Sequence, residues 1–307
     1  MAGSPSRLAP SLFFSSLEKF TRKVRSSKRL KVALLLGPPV AYLMVWFVAP
    51  FVLTLMYSFD LVTPNRQFVF SPSLQYYLRV MGWEGVFKIF VRSVGYGLLT
   101  SVVCALLAYP AAYYVSFKCR RYKDALLLVF IIPFWVSFLL RTYALMGVLA
   151  EEGFLNSVLL WLGVIEKPIK ILYTQNAVII GMVYNYLLFM VLPLYGSIEK
   201  LDKSLLEAAS TLGANPVSTF IKVTLPLTMP GVAAGFLLVF IPAVGEFIIP
   251  SLMGSTETYM MGNVIWDVFL YTRHWWLGSA LSVLFIIFVL SMTMIYLKAV
   301  GAEELVI

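Results

Sequence analysis

Apolar residues fill this chain in long unbroken stretches, not in the short alternating or amphipathic patterns of a soluble fold. No Asp, Glu, Lys or Arg falls within 32–59, 93–117, 171–198, 223–245 or 274–297, and Arg141 alone parts 125–140 from 142–150. A helix needs about 20 apolar residues to cross the hydrocarbon layer of a bilayer. The pattern therefore predicts an all-α membrane protein with six transmembrane helices, near 32–58, 93–117, 125–149, 176–198, 230–253 and 277–298. The first stretch follows a basic segment, as the apolar region of a secretory signal would. It is too long for one, and its single candidate cleavage residue, Ala49, is followed by Pro50. It reads as an uncleaved span.

Composition agrees: 60% of the 307 residues are hydrophobic and 13% charged, against about a quarter charged in a soluble domain. The net charge of +9 is placed by topology. Arg7, Lys19, Arg22, Lys23, Arg25, Lys28, Arg29 and Lys31 precede the first span against Glu18 alone. Lys118, Arg120, Arg121 and Lys123 follow the second, and Lys200, Lys203 and Lys222 lie between the fourth and fifth. All fall on one side if the helices alternate. Arg66, Arg79, Lys88, Arg92, Lys167, Lys170 and Arg273 are spread over longer loops on the other side. Positive charge marks the cytoplasmic side, which puts both termini inside. The basic tail faces anionic membrane lipid, and this distribution argues against nucleic acid as a partner. Cys104 and Cys119 offer neither a disulfide framework nor metal-ligand spacing. His274, beside Trp275 and Trp276, reads as part of an interfacial aromatic belt. On the outer side, 153–163 reads as a short apolar surface helix with Asn156 as its cap and Gly163 as its stop.

The most informative loop is 201–229, LDKSLLEAASTLGANPVSTFIKVTLPLTM. Asp202 is placed to cap a helix through Ala209, with Leu205, Leu206 and Ala209 on one face. Gly213 supplies a turn that a side chain resists. Asn215 and Pro216 form an N-cap and first-turn proline for a second short helix, with Pro226 expected to end it. Two short helices at a sharp angle suit docking into a cleft of a soluble partner.

Glu207-Ala208-Ala209, then Gly213, then Val223-Thr224-Leu225-Pro226 resembles the EAA loop of ABC importer permeases, with Val223 where that pattern has isoleucine. The resemblance implies a type I permease fold, in which this loop is the coupling helix seated on the ATP-binding subunit. Glu207, Ala208, Ala209, Gly213 and Pro226 are then the ATPase-coupling residues. Phe240-Ile241-Pro242-Ala243-Val244-Gly245-Glu246-Phe247-Ile248-Ile249-Pro250 and Leu139-Leu140-Arg141-Thr142-Tyr143-Ala144 look like the spermidine/putrescine permeases within that family. The implied organisation is a cytoplasmic tail over 1–31, a first span and outer loop over 32–91, a permease domain over 92–298 and a C-terminal tail over 299–307.

Arg141 and Glu246 fall well inside proposed spans, at similar depth on helices that run the same way. A charge there needs a partner or a wet cavity. Either the two pair, or Glu246 faces a cavity. Pro242, Gly245 and Pro250 loosen its helix, and broken helices at membrane depth line cavities. A carboxylate beside freed carbonyls suits an ammonium group, and Trp135, Tyr143, Tyr184 and Tyr186 are candidate aromatic faces for it. The candidate substrate pathway is thus Glu246, Arg141, Trp135, Tyr143 and Tyr184.

Three function classes compete. A membrane enzyme lacks support, because no H-E-x-x-H or G-x-S-x-G motif supplies a catalytic site. A secondary transporter is weaker without a detectable inverted repeat. A permease subunit remains. With no phosphate-binding G-x-x-x-x-G-K-[ST] loop in this chain, ATP and Mg belong to a separate ATPase. The resemblance implies three partners: ATP-binding subunits, a second permease that is usually a different chain, and an extracytoplasmic solute-binding protein.

Overall fold

The computed structural model describes residues 28–117, apart from 64 and 66, and 122–300. The basic tail up to residue 27, Arg66, Lys118, Cys119, Arg120, Arg121 and residues 301–307 lie outside the described residues. The chain divides into two packing units, Met1–Pro72 and Ser73–Ile307.

In the first unit, α1 (Lys28–Leu43) passes through a π-helical turn, Met44–Val48, into α2 (Ala49–Ser58). The wide turn has a local cause. Pro50 cannot donate to the carbonyl four residues back and its ring crowds that carbonyl. Looping out one residue, with Ala49 N–H donating to Met44 O, lets the helix continue instead of breaking. Asp60, at φ 59°, then turns the chain into an antiparallel bridge between Val62 and Phe68.

The described residues of the second unit form helices joined by turns and loops, with no strand. It comprises α3 (Gln75–Met81), α4 (Glu84–Phe117), α5 (Lys123–Ile131), α6 (Phe138–Leu149), α7 (Phe154–Trp161), α8 (Gln175–Glu199), α9 (Lys203–Thr211), α10 (Pro216–Thr219), α11 (Leu225–Val244), α12 (Ile248–Met253), α13 (Met261–Trp266) and α14 (Trp275–Val300), with short 3₁₀ or π turns between some of them. Its centre is the mutual packing of α4, α8 and α11. Cys104, Ala108 and Ala112 of α4, Met182, Met190 and Leu194 of α8, and Val239 and Ala243 of α11 are all buried there. Lipid is as apolar as these side chains, so close packing of small residues and interhelical hydrogen bonds hold such helices together. Gly231 shows how close: a Cβ on it would lie 2.3 Å from Ser197 Cβ of α8. Tyr109 and Thr228 add a hydroxyl–hydroxyl hydrogen bond of 2.7 Å between α4 and α11.

Six helical stretches among the described residues are long and apolar enough to span a membrane: Leu35–Ser58, Glu84–Phe117, Phe138–Trp161, Gln175–Glu199, Pro216–Val244 and Trp275–Ala299. The third departs from the sequence expectation. The stretch 125–149 is not one helix, because α5 tightens into a 3₁₀ turn at Ile132–Trp135 and the backbone extends at Val136 before α6 starts. Pro133, which has no N–H to donate, accounts for the interruption. The apolar stretch instead runs from α6 across a turn at 150–153 into α7. Asn156 does not cap α7; Gly153 occupies the N-cap. The buried Asn156 side chain instead bonds the backbone of Ala150 and Ile169. Gly163, at φ +68°, follows the end of α7 as expected.

Candidate functional site

Two places in the second unit combine polar chemistry with unusual backbone, and both coincide with sequence motifs. The first is an elbow between α8 and α11. Asp202 caps α9 by accepting Ser204 N–H at 2.9 Å, and that bond holds its carboxyl below the usual carboxylate range. The far end closes as a Schellman motif: Gly213 N–H donates to Ser210 O and Ala214 N–H to Ala209 O, both at 3.0 Å. This closure requires the left-handed backbone of Gly213, at φ +84°. Asn215 then caps α10 through Ser218 N–H at 2.7 Å, with Pro216 in the first turn.

Pro226 does not end that second helix, contrary to expectation. A π turn at Phe220–Thr224, closed by Leu225 N–H on Phe220 O, absorbs the proline as at Pro50. The helix that starts at Pro216 therefore continues into α11, and the elbow is rigidly joined to a span. Ala209 is buried at its inner face. Glu207 and Ala208 are exposed, and Leu212 and Val217 are 87% and 66% exposed. The tightly capped turn thus displays apolar side chains outward.

The second place is a break between α11 and α12. Pro242 lies within α11, and the helix ends at Val244. Glu246 then turns its side chain back: Oε1 accepts the N–H groups of Phe247, Ile248 and Ile249 at 3.0, 2.8 and 3.3 Å, capping α12. Oε2 accepts the hydroxyl of Tyr186 on α8. Asn263 fastens the break from α13, donating to Phe247 O at 2.8 Å and Ser251 Oγ at 2.7 Å. Gly262 lets α13 approach, since a Cβ there would meet Gly245 O at 2.4 Å. The 6% exposed Glu246 borders a cleft of 610 Å³ with Phe138, Tyr186, Phe189, Leu238, Ile241 and Pro242 among its walls. A carboxylate has about four acceptor positions. The three backbone amides crowd Oε1, so Oε2, with the Tyr186 hydroxyl as its donor, keeps capacity for another.

Arg141 does not pair with Glu246; the described residues contain no such ion pair. Its guanidinium lies over Phe134 at 4.1 Å and Phe138 at 5.9 Å. Trp135, Tyr143 and Tyr184 are exposed, at 78%, 54% and 42%, and do not line the Glu246 cleft. Of the aromatic candidates the structure brings only Tyr186 to Glu246. Phe138 and Phe189 escaped the sequence reading, although Phe189 follows Tyr186 by one helical turn and so shares its face.

The arrangement is a capped elbow at one end of a long apolar helix and a break at its other end, both within the region that a family model for the inner membrane component of binding-protein-dependent transport systems matches, 102–300. The chain belongs to that family. These transport components place it in the inner membrane as a multi-pass subunit. It is 46% identical over 213 residues to the spermidine/putrescine transport system permease protein PotB of Escherichia coli (strain K12), covering 69% of this chain and 78% of that one. A PotB protein of Haemophilus influenzae is 40% identical over 243 residues, covering 79% and 81%. A chain of a bacterial ABC transporter for import of alginate superposes with a TM-score of 0.69 over 92% of this chain and 98% of that one, at 16% identity. It shares the ABC importer permease fold with this transport component.

Proposed function

We propose that this chain is one of two permease subunits of an ATP-driven polyamine importer, with Glu246 receiving a substrate ammonium group. The observation that carries this reading is the Glu246 carboxylate, held without a cationic partner among the described residues, at the wall of an aromatic cleft where the helix breaks. An ammonium group needs acceptors, negative charge and ring faces, and Glu246, Tyr186, Phe138 and Phe189 supply them. The 46% identity to a spermidine/putrescine permease supports the same solute class.

The pathway lies in the permease domain, 92–298, with both termini cytoplasmic. The elbow docks on an ATP-binding subunit that holds the ATP and Mg. Glu207 meets basic groups there, and Leu212 and Val217 enter its apolar groove. A separate solute-binding protein delivers polyamine to the opposite mouth. Nucleotide-driven closure of the ATPase pair moves the elbow, and the continuous helix from Pro216 to Val244 carries that motion to the Glu246 break.

The test is polyamine uptake by Glu246→Gln, alone and combined with Arg141→Met. Losing one partner of a desolvated charge contact costs about 2–5 kcal/mol, so uptake is expected to fall tens-fold or more at unchanged membrane level. The double variant is expected to recover nothing. Near-normal uptake in either would remove Glu246 as a substrate ligand.

A further inference from the structure

The elbow is fastened to more than the helix it feeds. Phe220, in the π turn after α10, meets two rings of α4 edge to face, with centroids 5.2 Å from Tyr109 and 6.4 Å from Tyr113. Tyr113 lies 4.8 Å from Phe117, and the Lys203 ammonium of α9 sits 5.6 Å from the centre of the Phe117 ring. The elbow therefore grips one end of α4 both from α9 and from the turn that follows α10. Edge-to-face ring pairs and a cation over a ring attract beyond the area they bury.

The other end of α4 holds the brace of the Glu246 break. The helix runs from Glu84 to Phe117 without interruption, through Pro110, and Ser93 lies about 24 Å along its axis from Tyr109 at 1.5 Å per residue. The buried Ser93 Oγ accepts the N–H of Met261, at the start of α13, at 2.7 Å. Arg92 donates to Tyr259 O at 3.2 Å, just ahead of the same helix. Asn263 of α13 in turn binds Phe247 O and Ser251 Oγ across the break. α11 stops at Val244, before the break, whereas α4 joins the elbow to the element that holds the break in shape.

We propose that α4 is a second limb of energy coupling, with Phe220 and Ser93 as its positioning residues. The elbow drives α4 through Phe220, and α4 carries α13 through Ser93, so the break is worked from outside the Pro216–Val244 helix as well as along it. Coupling between distant sites travels through packed side chains and rigid elements in sequence, and this route supplies both. The proposal rests on the reading of the elbow as the ATPase dock, and its test does not depend on which solute is carried.

The experiment compares uptake by the full complex carrying Phe220→Ala, Ser93→Ala or both, at matched membrane level. Each single variant is expected to lower uptake roughly tenfold, with the ATPase still co-purified through a tag on this chain. Effects of changes so far apart ordinarily multiply. On one serial route the second change removes nothing further, so the double variant is expected to match the weaker single one. Uptake near the product of the two effects, or at the wild-type rate in either single variant, would overturn the proposal. A second measurement does not depend on how these variants pack. In a chain free of Cys104 and Cys119, Tyr113→Cys with Phe220→Cys removes two rings of the joint, and a short bifunctional thiol reagent then ties the two positions together. Tying them is expected to restore uptake severalfold, and uptake that stays at the untied level once the positions are joined would equally overturn it. Failure of the docking reading shows separately, as wild-type uptake by Glu207→Ala and Gly213→Val.

Discussion

Glu246 shows how a carboxylate just past the end of the fifth apolar stretch is kept buried with no counter-ion among the described residues. Three successive amides at the start of α12 and the Tyr186 hydroxyl replace the water it has lost. Hydrogen bonds to a charged acceptor contribute about 1.5–3 kcal/mol each, enough together to offset much of the burial of one ion. Tyr186→Phe removes one donor and leaves the ring, so the carboxylate stays in place but is less well held. Polyamine uptake is expected to fall roughly tenfold, the equivalent of about 1.4 kcal/mol, with normal protein level. Uptake equal to wild type would show that Tyr186 merely packs. Gly262→Ala acts from the other side. Its Cβ would sit 2.4 Å from Gly245 O, forcing α13 away from the break, and uptake is expected to be lost. A labelled-spermidine assay on membranes of matched expression reads both.

At the scale of elements, the elbow was almost wholly legible in the sequence, and so was the weak point of the helix around Pro242 and Gly245, whereas the interruption at Pro133 was not. Asp202, Gly213, Asn215 and Pro216 each act on their own neighbours, so their roles as caps and turn follow from local chemistry. Pro226 and Pro133 show the limit. Both lack the same N–H, yet a π turn carries the helix past Pro226 whereas a 3₁₀ turn and an extended Val136 follow at Pro133. Which relief is chosen depends on packing, which the sequence does not display. The Glu246 clamp was hidden for the same reason: its Tyr186 partner is 60 residues away. Arg141 and Glu246, matched in depth along the chain, proved not to pair among the described residues, and Arg141 lies over Phe134 and Phe138 instead. For the elbow, Gly213→Val places a β-branched residue at φ +84°, where such residues are genuine outliers. This variant and Glu207→Ala are each expected to abolish uptake while the protein remains in the membrane. Wild-type transport by both variants would contradict the coupling role. The lowered Asp202 carboxyl gives the cap a pH dependence. Its contribution is present above the unfolded carboxylate's pKa and lost as pH falls through the lower folded value. Hydrogen exchange at Ser204 is expected to accelerate there, and Asp202→Ala should abolish that dependence.

As a whole molecule, the permease needs a fixed orientation and a particular cargo. With Cys104 and Cys119 replaced, a single cysteine at the exposed Lys167 in the loop after α7 is expected to react with a membrane-impermeant thiol reagent in intact cells. Cysteines at Ser218 in the elbow and at Ser26, which lies outside the described residues, are expected to stay shielded until the cells are opened. Labelling at Ser218 but not at position 167 would invert the topology and move the elbow away from any cytoplasmic ATPase. The central claim, that this subunit carries polyamines, is tested most directly by initial uptake rates in a strain lacking the gene. Restoring the chain is expected to restore energy-dependent uptake of labelled spermidine or putrescine, with no change for labelled lysine. Polyamine uptake at the same rate with and without the chain, while another solute depends on it, would contradict that claim.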